Sequence, residues 1–371
     1  MKCLKKQVMR LGKLESMNNS LGLQEYEKYR AKNIIVIFIM LIMLFIVSIT
    51  AIALGSYFIP IIDIAKAIFG KSIDNKINIV IWNMRLPRVL TAFLGGAGLG
   101  ISGCVLQAIL RNPLASASTL GISQGAAFGA AFAIIVLGAG LQGSSASSGV
   151  SFTNPVLVSV CAFFFSMVVS LIILALSRFV KISPESMILS GVALSAVFSG
   201  ATTLLQYFAN DVQLSSVVFW TFGDLGRTGW REICIIGVVV ISFLLYFIYK
   251  RWDYNAIESG EQTAISLGVD VNALRIVNMI FCAITASVIV SFLGIVNFIG
   301  LIAPHIVRRF TGTNYCFLLP GSAIMGAILL LLGDIAARMI ITPVILPIGA
   351  ITSFLGGPLF MYMLFRSSSK R

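Results

Sequence analysis

Long apolar runs separated by short polar clusters repeat along most of this chain. The first, from about Asn33 to Leu54, follows a polar segment rich in Lys and Arg. At ~1.5 Å per residue it is long enough to cross a ~30 Å hydrocarbon core as a helix. Runs of the same kind predict further spans at about 86–109, 117–137, 156–177, 187–208, 232–249, 275–291, 294–307, 317–336 and 346–364, ten crossings in all. Between Arg275 and Arg308 the apolar run is almost unbroken over some 32 residues, which would be roughly 48 Å as one helix. A break near Ser291-Phe292-Leu293-Gly294 gives two short spans and keeps Arg308 and Arg309 on the same side as Arg275. The pattern predicts an all-α polytopic membrane protein, organised as an N-terminal region (1–33), a membrane domain (34–366) and a short tail (367–371).

Composition agrees: 58% of the 371 residues are hydrophobic and 11% are charged, against about 25% charged in soluble domains. The net charge of +13 would suit an acidic partner, but the 27 Lys and Arg are scattered between apolar runs without a basic, aromatic-interleaved stripe. Nucleic acid is therefore set aside. In the ten-span scheme 19 of the 27 fall on one side, together with both termini, and that side is cytoplasmic by the positive-inside rule. The N-terminal region carries no signal-peptide cleavage pattern. Lys66, Lys71, Lys76, Arg85, Arg88, Arg227, Arg231 and Arg338 remain outside. Arg85, Arg88 and Arg338 sit at the outer ends of the second and ninth spans, where a charge needs a reason; interfacial snorkelling is one.

Candidate chemistry narrows the class further. The chain lacks G-x-x-x-x-G-K-[S/T], so it holds no phosphate-cradling loop of its own, and it lacks H-E-x-x-H and G-x-S-x-G. Its one histidine, His305, and six dispersed cysteines form neither a metal set nor a disulfide framework, and no catalytic residue or cofactor is expected. Acidic residues are missing from the middles of the spans, which weighs against an ion-coupled secondary transporter, the alternative from another class. Small residues are plentiful: Gly96 and Gly100 share a face of the second span, and either close helix packing or a moving gate would use that face. Prolines at Asn112-Pro113, Ser183-Pro184, Ala303-Pro304 and Leu346-Pro347 mark span ends.

One polar stretch stands out, from Arg251 to Asp270. Ser259 can cap a short helix from Gly260 to Leu267, with Gln262 three residues on and Gly268 as its stop. Such a helix outside the bilayer reads as a docking element for a soluble partner, or else as an ordinary solvated loop.

An ordered set of motifs now bears on identity. It comprises Arg85-Leu86-Pro87-Arg88, then Gly103 through Gln107 to Asn112-Pro113-Leu114-Ala115, Leu120-Gly121-Ile122-Ser123, and Trp220 with Gly223. Leu267-Gly268-Val269, Phe298 through His305 with Arg308, Asp334 with Arg338, Leu346-Pro347-Ile348-Gly349 and Gly357-Pro358 complete it. From about Ile34 onward the chain resembles the FecCD-type permeases of ABC importers for iron-siderophores, haem and cobalamin. The resemblance implies the ten-helix fold of cobalamin-importer permeases in the cell membrane, a second permease subunit in a homodimer, two ATP-binding subunits, and an extracytoplasmic binding protein delivering an iron chelate, haem or cobalamin. It also implies site residues. Arg85, Arg88 and Arg338 would meet the binding protein. Glu258, Gly260, Glu261, Ala264, Leu267 and Gly268 would couple to the ATPase. Asn112, Leu114, Ser183, Pro184 and Glu185 would line the cytoplasmic gate, with His305 structural. The chain departs from the family pattern at Ala117, where a second proline is usual, at Asp224, where serine is common, and at Pro184-Glu185. The Ser/Gly-rich stretch 138–154 reads as a connector without an assigned role.

Overall fold

The computed structural model describes residues 2–55, 59–70, 75–140, 154–180, 183–342 and 344–368. The connector 138–154 and the tail 367–371 therefore lie largely outside the described residues. Among the described residues every regular element is helical. Helix α1 (Lys2–Ala53) carries the first apolar run; α2 (Ile61–Ile68) and α3 (Asn75–Val80) follow, and α3 passes through a π-helical turn at Ile81–Arg85 into α4 (Leu86–Ile109). Then come α5 (Ile122–Ile135), α6 (Pro155–Val180), α7 (Pro184–Tyr207), α8 (Asp211–Thr221), α9 (Trp230–Tyr249), α10 (Arg251–Glu258) and α11 (Glu261–Ser266). The chain closes with α12 (Val271–Leu293), α13 (Ile299–Thr311), α14 (Tyr315–Met339) and α15 (Ile348–Ser368).

Ten of these helices, α1, α4 to α7, α9 and α12 to α15, answer to the ten expected spans. Seven are long and apolar enough to cross a membrane by themselves; α5, α13 and α15 are shorter in their apolar part. Two boundaries move. The third span begins at Ile122 and not near 117, because residues 112–121 form a chain of turns that ends on Gly121 at φ +79°. The predicted break in the long apolar run falls at Gly294, so the expected 275–291 and 294–307 become Val271–Leu293 and Ile299–Thr311. Gly294 has φ +79°, and a Cβ there would lie 2.6 Å from the Trp220 carbonyl. Only glycine meets both demands without strain. Four short helices escape the sequence reading: α2, α3, α8 and α10. Helix α8 is opened by a capping box between Asn210 and Gln213, and α10 forms because Tyr254 and Ile257, three apart, are buried on one face.

Helix α4 is the axle of the bundle, with 83% of its most apolar window buried, against 11% for α7. Its small residues explain the difference. Gly96 and Gly100 lie against the backbone of Gly326 and Ser322 in α14, and Gly103 lies against Gly300 in α13. A Cβ at any of the three would overlap a neighbouring carbonyl. The glycine face is a packing surface that lets three helices approach backbone to backbone, as membrane helices do in the absence of a hydrophobic drive between them. Helices α6 and α9 each pack on α12, and α1 packs on α14.

Candidate functional sites at the two ends of the bundle

Tyr29 and Asn33 of α1 reach the Thr311 carbonyl at the end of α13, and Arg308, Arg309, Arg275 and Arg111 cluster toward that same end of the bundle. It corresponds to the inner side of the charge-derived topology and is called the inner end here; the opposite end is called outer.

At the outer end α1 stops at Ala53, which leaves its last carbonyls without intrahelical donors. Arginines supply them. Arg85 Nη1 donates to the carbonyls of Ile52 and Ala53 at 2.5 and 2.9 Å, and Arg338 donates to those of Ala51 and Leu54 at 3.0 and 2.8 Å. Two cations thus sit at the negative end of the α1 dipole. The fully buried Asp334 supplies the counter-charge. Its Oδ1 accepts from Arg88 Nε at 2.7 Å. Its Oδ2 lies 2.9 Å from Arg338 Nη2, an ion-pair contact without hydrogen-bond alignment. Asp224 stands 3.5 Å from Arg88 Nη1 and accepts from the Gly226 N–H at 2.8 Å.

The structure therefore brings Arg85, Arg88 and Arg338 together at one end of the bundle. It also turns them inward: they are 8%, 11% and 9% exposed. They tie α1, α4 and α14 into one unit. Sequence reasoning noted Asp334 only as a motif residue; its i, i+4 spacing from Arg338 was the available signal.

At the inner end the polar stretch after α9 is two helices. Ser259 does not cap the second. It closes α10 and donates to the Asn255 carbonyl at 3.3 Å. The N-cap of α11 is Gly260 at φ +125°, a conformation that L side chains rarely adopt. Gly268 follows at φ +85° and serves as the stop that its position suggested. Helix α10 is pinned by Tyr254, whose hydroxyl donates to Asn278 Oδ1 at 2.6 Å, and burial pushes that phenol's pKa up. Glu258 accepts from the Tyr315 hydroxyl at 3.4 Å. In α11, Ala264 is buried while Ile265 and Leu267 are 59% and 68% exposed. Glu261 forms an ion pair with Arg275 of α12, and Arg275 Nε also donates to the Ile109 carbonyl at 3.1 Å. One guanidinium thus links α11 to the last residue of α4.

Asn112, the first of the residues expected at the gate, stands three positions after Ile109. Arg111, at φ +46°, bends the chain out of α4, and Asn112 Oδ1 accepts from the Leu114 N–H at 2.8 Å, which leaves Leu114 exposed. Ser183 caps α7 by accepting from the Ser186 N–H at 3.3 Å, with Pro184 and Glu185 in the first turn. Arg111 and Arg275 are near enough to act electrostatically on Glu185. The turn after α4 also packs on α7, since a Cβ on Gly191 would lie 2.7 Å from Leu120 and Thr119. The turn after α4 and the first half of α7 are therefore neighbours. Arg275, read from sequence only as a topology marker, is the residue that sequence reasoning missed. His305 is half-buried in α13, outside both clusters.

Among the described residues no group of His, Cys, Asp and Glu could hold a metal ion. A helical bundle with a tightly packed axle, a charged knot at one end and an anchored apolar knob at the other belongs to the class of polytopic membrane permeases. Comparison with known proteins fixes the family. The model of the FecCD transport family matches residues 40–366, and the chain belongs to that family. It is 49% identical over 343 residues to an ABC transporter permease protein of Methanocaldococcus jannaschii, covering 92% of this chain and 97% of that protein. It is 34% identical to the hemin transport system permease protein HmuU of Yersinia pestis, over 78% of this chain and 85% of the relative. Among solved structures, a metal-chelate type ABC transporter in an inward-facing conformation matches with a TM-score of 0.75 at 28% identity, over 89% of this chain and 99% of that one. The chain is thus the permease component of an ABC importer.

Proposed function

We propose that this permease forms the membrane pathway of an ATP-driven importer for an iron chelate, with haem or cobalamin as neighbouring ligand classes, and that it works as a homodimer with two ATP-binding subunits and an extracytoplasmic binding protein. The observation that carries the ATP-driven reading is the Leu267–Ile265 knob. Two large apolar side chains stand exposed beyond the span ends on a helix that is itself ion-paired to the bundle. A solvent-facing apolar tip on a rigid mount suits a protein partner better than a free loop. Movement of α11 would pass through Glu261 and Arg275 to the end of α4, and from there to Asn112, Leu114 and the start of α7 at Ser183, Pro184 and Glu185. Gly260 and Gly268 supply the two bends that set α11 apart, and Ala264 and Glu258 hold it down.

The outer knot is the proposed docking place of the binding protein. Three guanidiniums against the carboxylates of Asp334 and Asp224 leave net positive charge there, which would attract an acidic partner and make its approach salt-sensitive. The permease itself does no covalent chemistry.

Reconstitution with the ATPase subunits in liposomes tests the reading. Uptake is expected to stop when ATP is withheld and to be indifferent to collapse of ion gradients, whereas a secondary transporter would show the reverse. Leu267→Ser is expected to lower stimulation of the ATPase about tenfold, the loss of a buried interface anchor, with folded yield unchanged. Full stimulation in that variant would sink the coupling assignment.

A further inference from the structure

Helix α2 (Ile61–Ile68) has no part in the docking, coupling or gating assigned above, yet it carries an exposed apolar face. At about 100° per residue its positions fall on three sides, centred more than a quarter turn apart. Ile64 and Ala67 are buried against the bundle. Asp63 and Lys66 form a second side and pair with each other at 3.5 Å, so that side is polar without net charge. Ile61, Ile62, Ala65 and Phe69, the last at the C-cap, form the third, with Ile62 69% and Phe69 78% exposed. A helix that lies along a membrane surface beside a bundle meets protein, water and lipid, and needs three such sides.

Hydrogen bonds fix where α2 lies. Just before it starts, the Ile59 N–H donates to the Ala53 carbonyl at the end of α1, at 3.2 Å. In its last turn the Ala67 carbonyl accepts from the Trp82 indole N–H, also at 3.2 Å. Both ends of α2 are thus tied to the outer ends of spans, so the helix runs along the membrane surface and not away from it. Trp82, just before α4, pairs with Trp230, the first residue of α9, at a ring-centroid distance of 5.9 Å and accepts its indole N–H at 3.2 Å. Both rings are partly exposed. Tryptophans at span ends mark the membrane–water interface, where one part of a ring meets lipid and another meets water. Its contact with Trp82 therefore places the end of α2 at headgroup level.

The apolar side is too small for a protein partner: it offers four or five side chains, where a stable interface takes about 20–30 residues a side. It also bears no charge to select an acidic protein. Lipid is the continuous neighbour, because α1, from which α2 departs, is only 22% buried in its most apolar window and exposes Phe45 and Ile46 about two turns before its end.

We infer that α2 is an interfacial anchor seated in the outer leaflet, with Ile61, Ile62 and Phe69 among the first acyl carbons and Asp63 and Lys66 toward water. Helices of this kind sink their apolar side by ~5–10 Å into the headgroup–acyl boundary. Through Ala53 and Trp82 the anchor holds the outer ends of α1 and of the helix leading into α4 at one depth.

Spin labelling of the full chain in phosphatidylcholine liposomes tests the anchor. With the six native cysteines replaced by alanine, single nitroxides are attached in Ile62→Cys, Lys66→Cys and Phe69→Cys, and their collisions with oxygen, which enters lipid, are compared with those of a nickel chelate confined to water. The oxygen-to-nickel ratio at 62 and 69 is expected to exceed that at 66 by about fivefold or more, as for a helix with one side in lipid and one in water. Equal ratios at the three positions overturn the inference. So does low access of both reagents at 62 and 69, which would make a second copy of the chain the cover. A fall in oxygen access there on adding the binding protein would make the face a docking surface and overturns it too. The unaltered permease guards against misfolding of the variants. Illuminated with a phosphatidylcholine that carries a diazirine near the glycerol end of one acyl chain, it should form crosslinks within residues 61–69. Crosslinks at the outer end of α1 with none in that segment reject the anchor.

Discussion

The two ends of α4 are held in opposite ways. At its outer end Arg85 and Arg88 turn inward, to the carbonyls of α1 and to the buried Asp334, so the charges spend themselves on joining three helices. At its inner end the last carbonyl is held by one guanidinium, Arg275, whose other partner is a carboxylate on a short helix with an exposed apolar tip. The outer end is a knot and the inner end is a link. A knot with buried charge in several strands resists rearrangement, whereas a single contact between two movable elements can carry displacement from one to the other.

The contrast can be broken most severely at Asp334. Asp334→Asn removes the buried counter-charge from Arg88 and Arg338, and breaking a buried pair in this way costs about 3–5 kcal/mol. Sharply reduced folded yield and a large fall in melting temperature are expected; a variant as stable as the parent would show that the knot is not structural. Arg275→Ala should act differently, lowering ATP-driven uptake about tenfold, the scale of a coupling free energy near 1.4 kcal/mol, while basal ATPase activity and folded yield remain. Arg275→Lys keeps a charge for Glu261 but cannot serve Glu261 and the Ile109 carbonyl with the same fork, so it should recover only part of the uptake. Full uptake in Arg275→Ala would remove the link. The smallest effect is expected at Asp224, at the rim of the knot. Asp224→Asn keeps an acceptor for Gly226 and deletes one negative charge beside Arg88, so affinity for the binding protein should rise about threefold at low salt and converge with the parent at high salt. A fall in affinity would place docking away from Arg88.

Much of this was legible in the sequence. Ten apolar runs gave ten helices because a chain in lipid must satisfy its backbone within each helix, and the count survived even where α5 and α13 came out short. The glycines of α4 left close packing and a moving gate both open, and the structure shows the close packing. The break at Gly294 showed in the sequence, but the start of the third span at Gly121 did not, since turn geometry at a span end depends on the backbone packed against it, here that of Gly191. Helices α2, α3, α8 and α10 were missed because each is short and has three buried positions or fewer, too few for a periodic signal.

Local chemistry decided what the sequence could decide by itself: membrane residence, helix number, the charge bias between the two sides and the family motifs. Each follows from the hydropathy of consecutive residues or from residues close together in the chain. The rest lay in pairings across long sequence separations. Arg88 meets Asp334 from 246 positions away, Arg338 meets the end of α1 from 284, and Arg275 reaches Ile109 from 166. Whether an outer arginine is a free tip or a buried strut depends on which carbonyls and carboxylates the fold brings within 3 Å or so of it. Only the packing of α1, α4 and α14 set that distance.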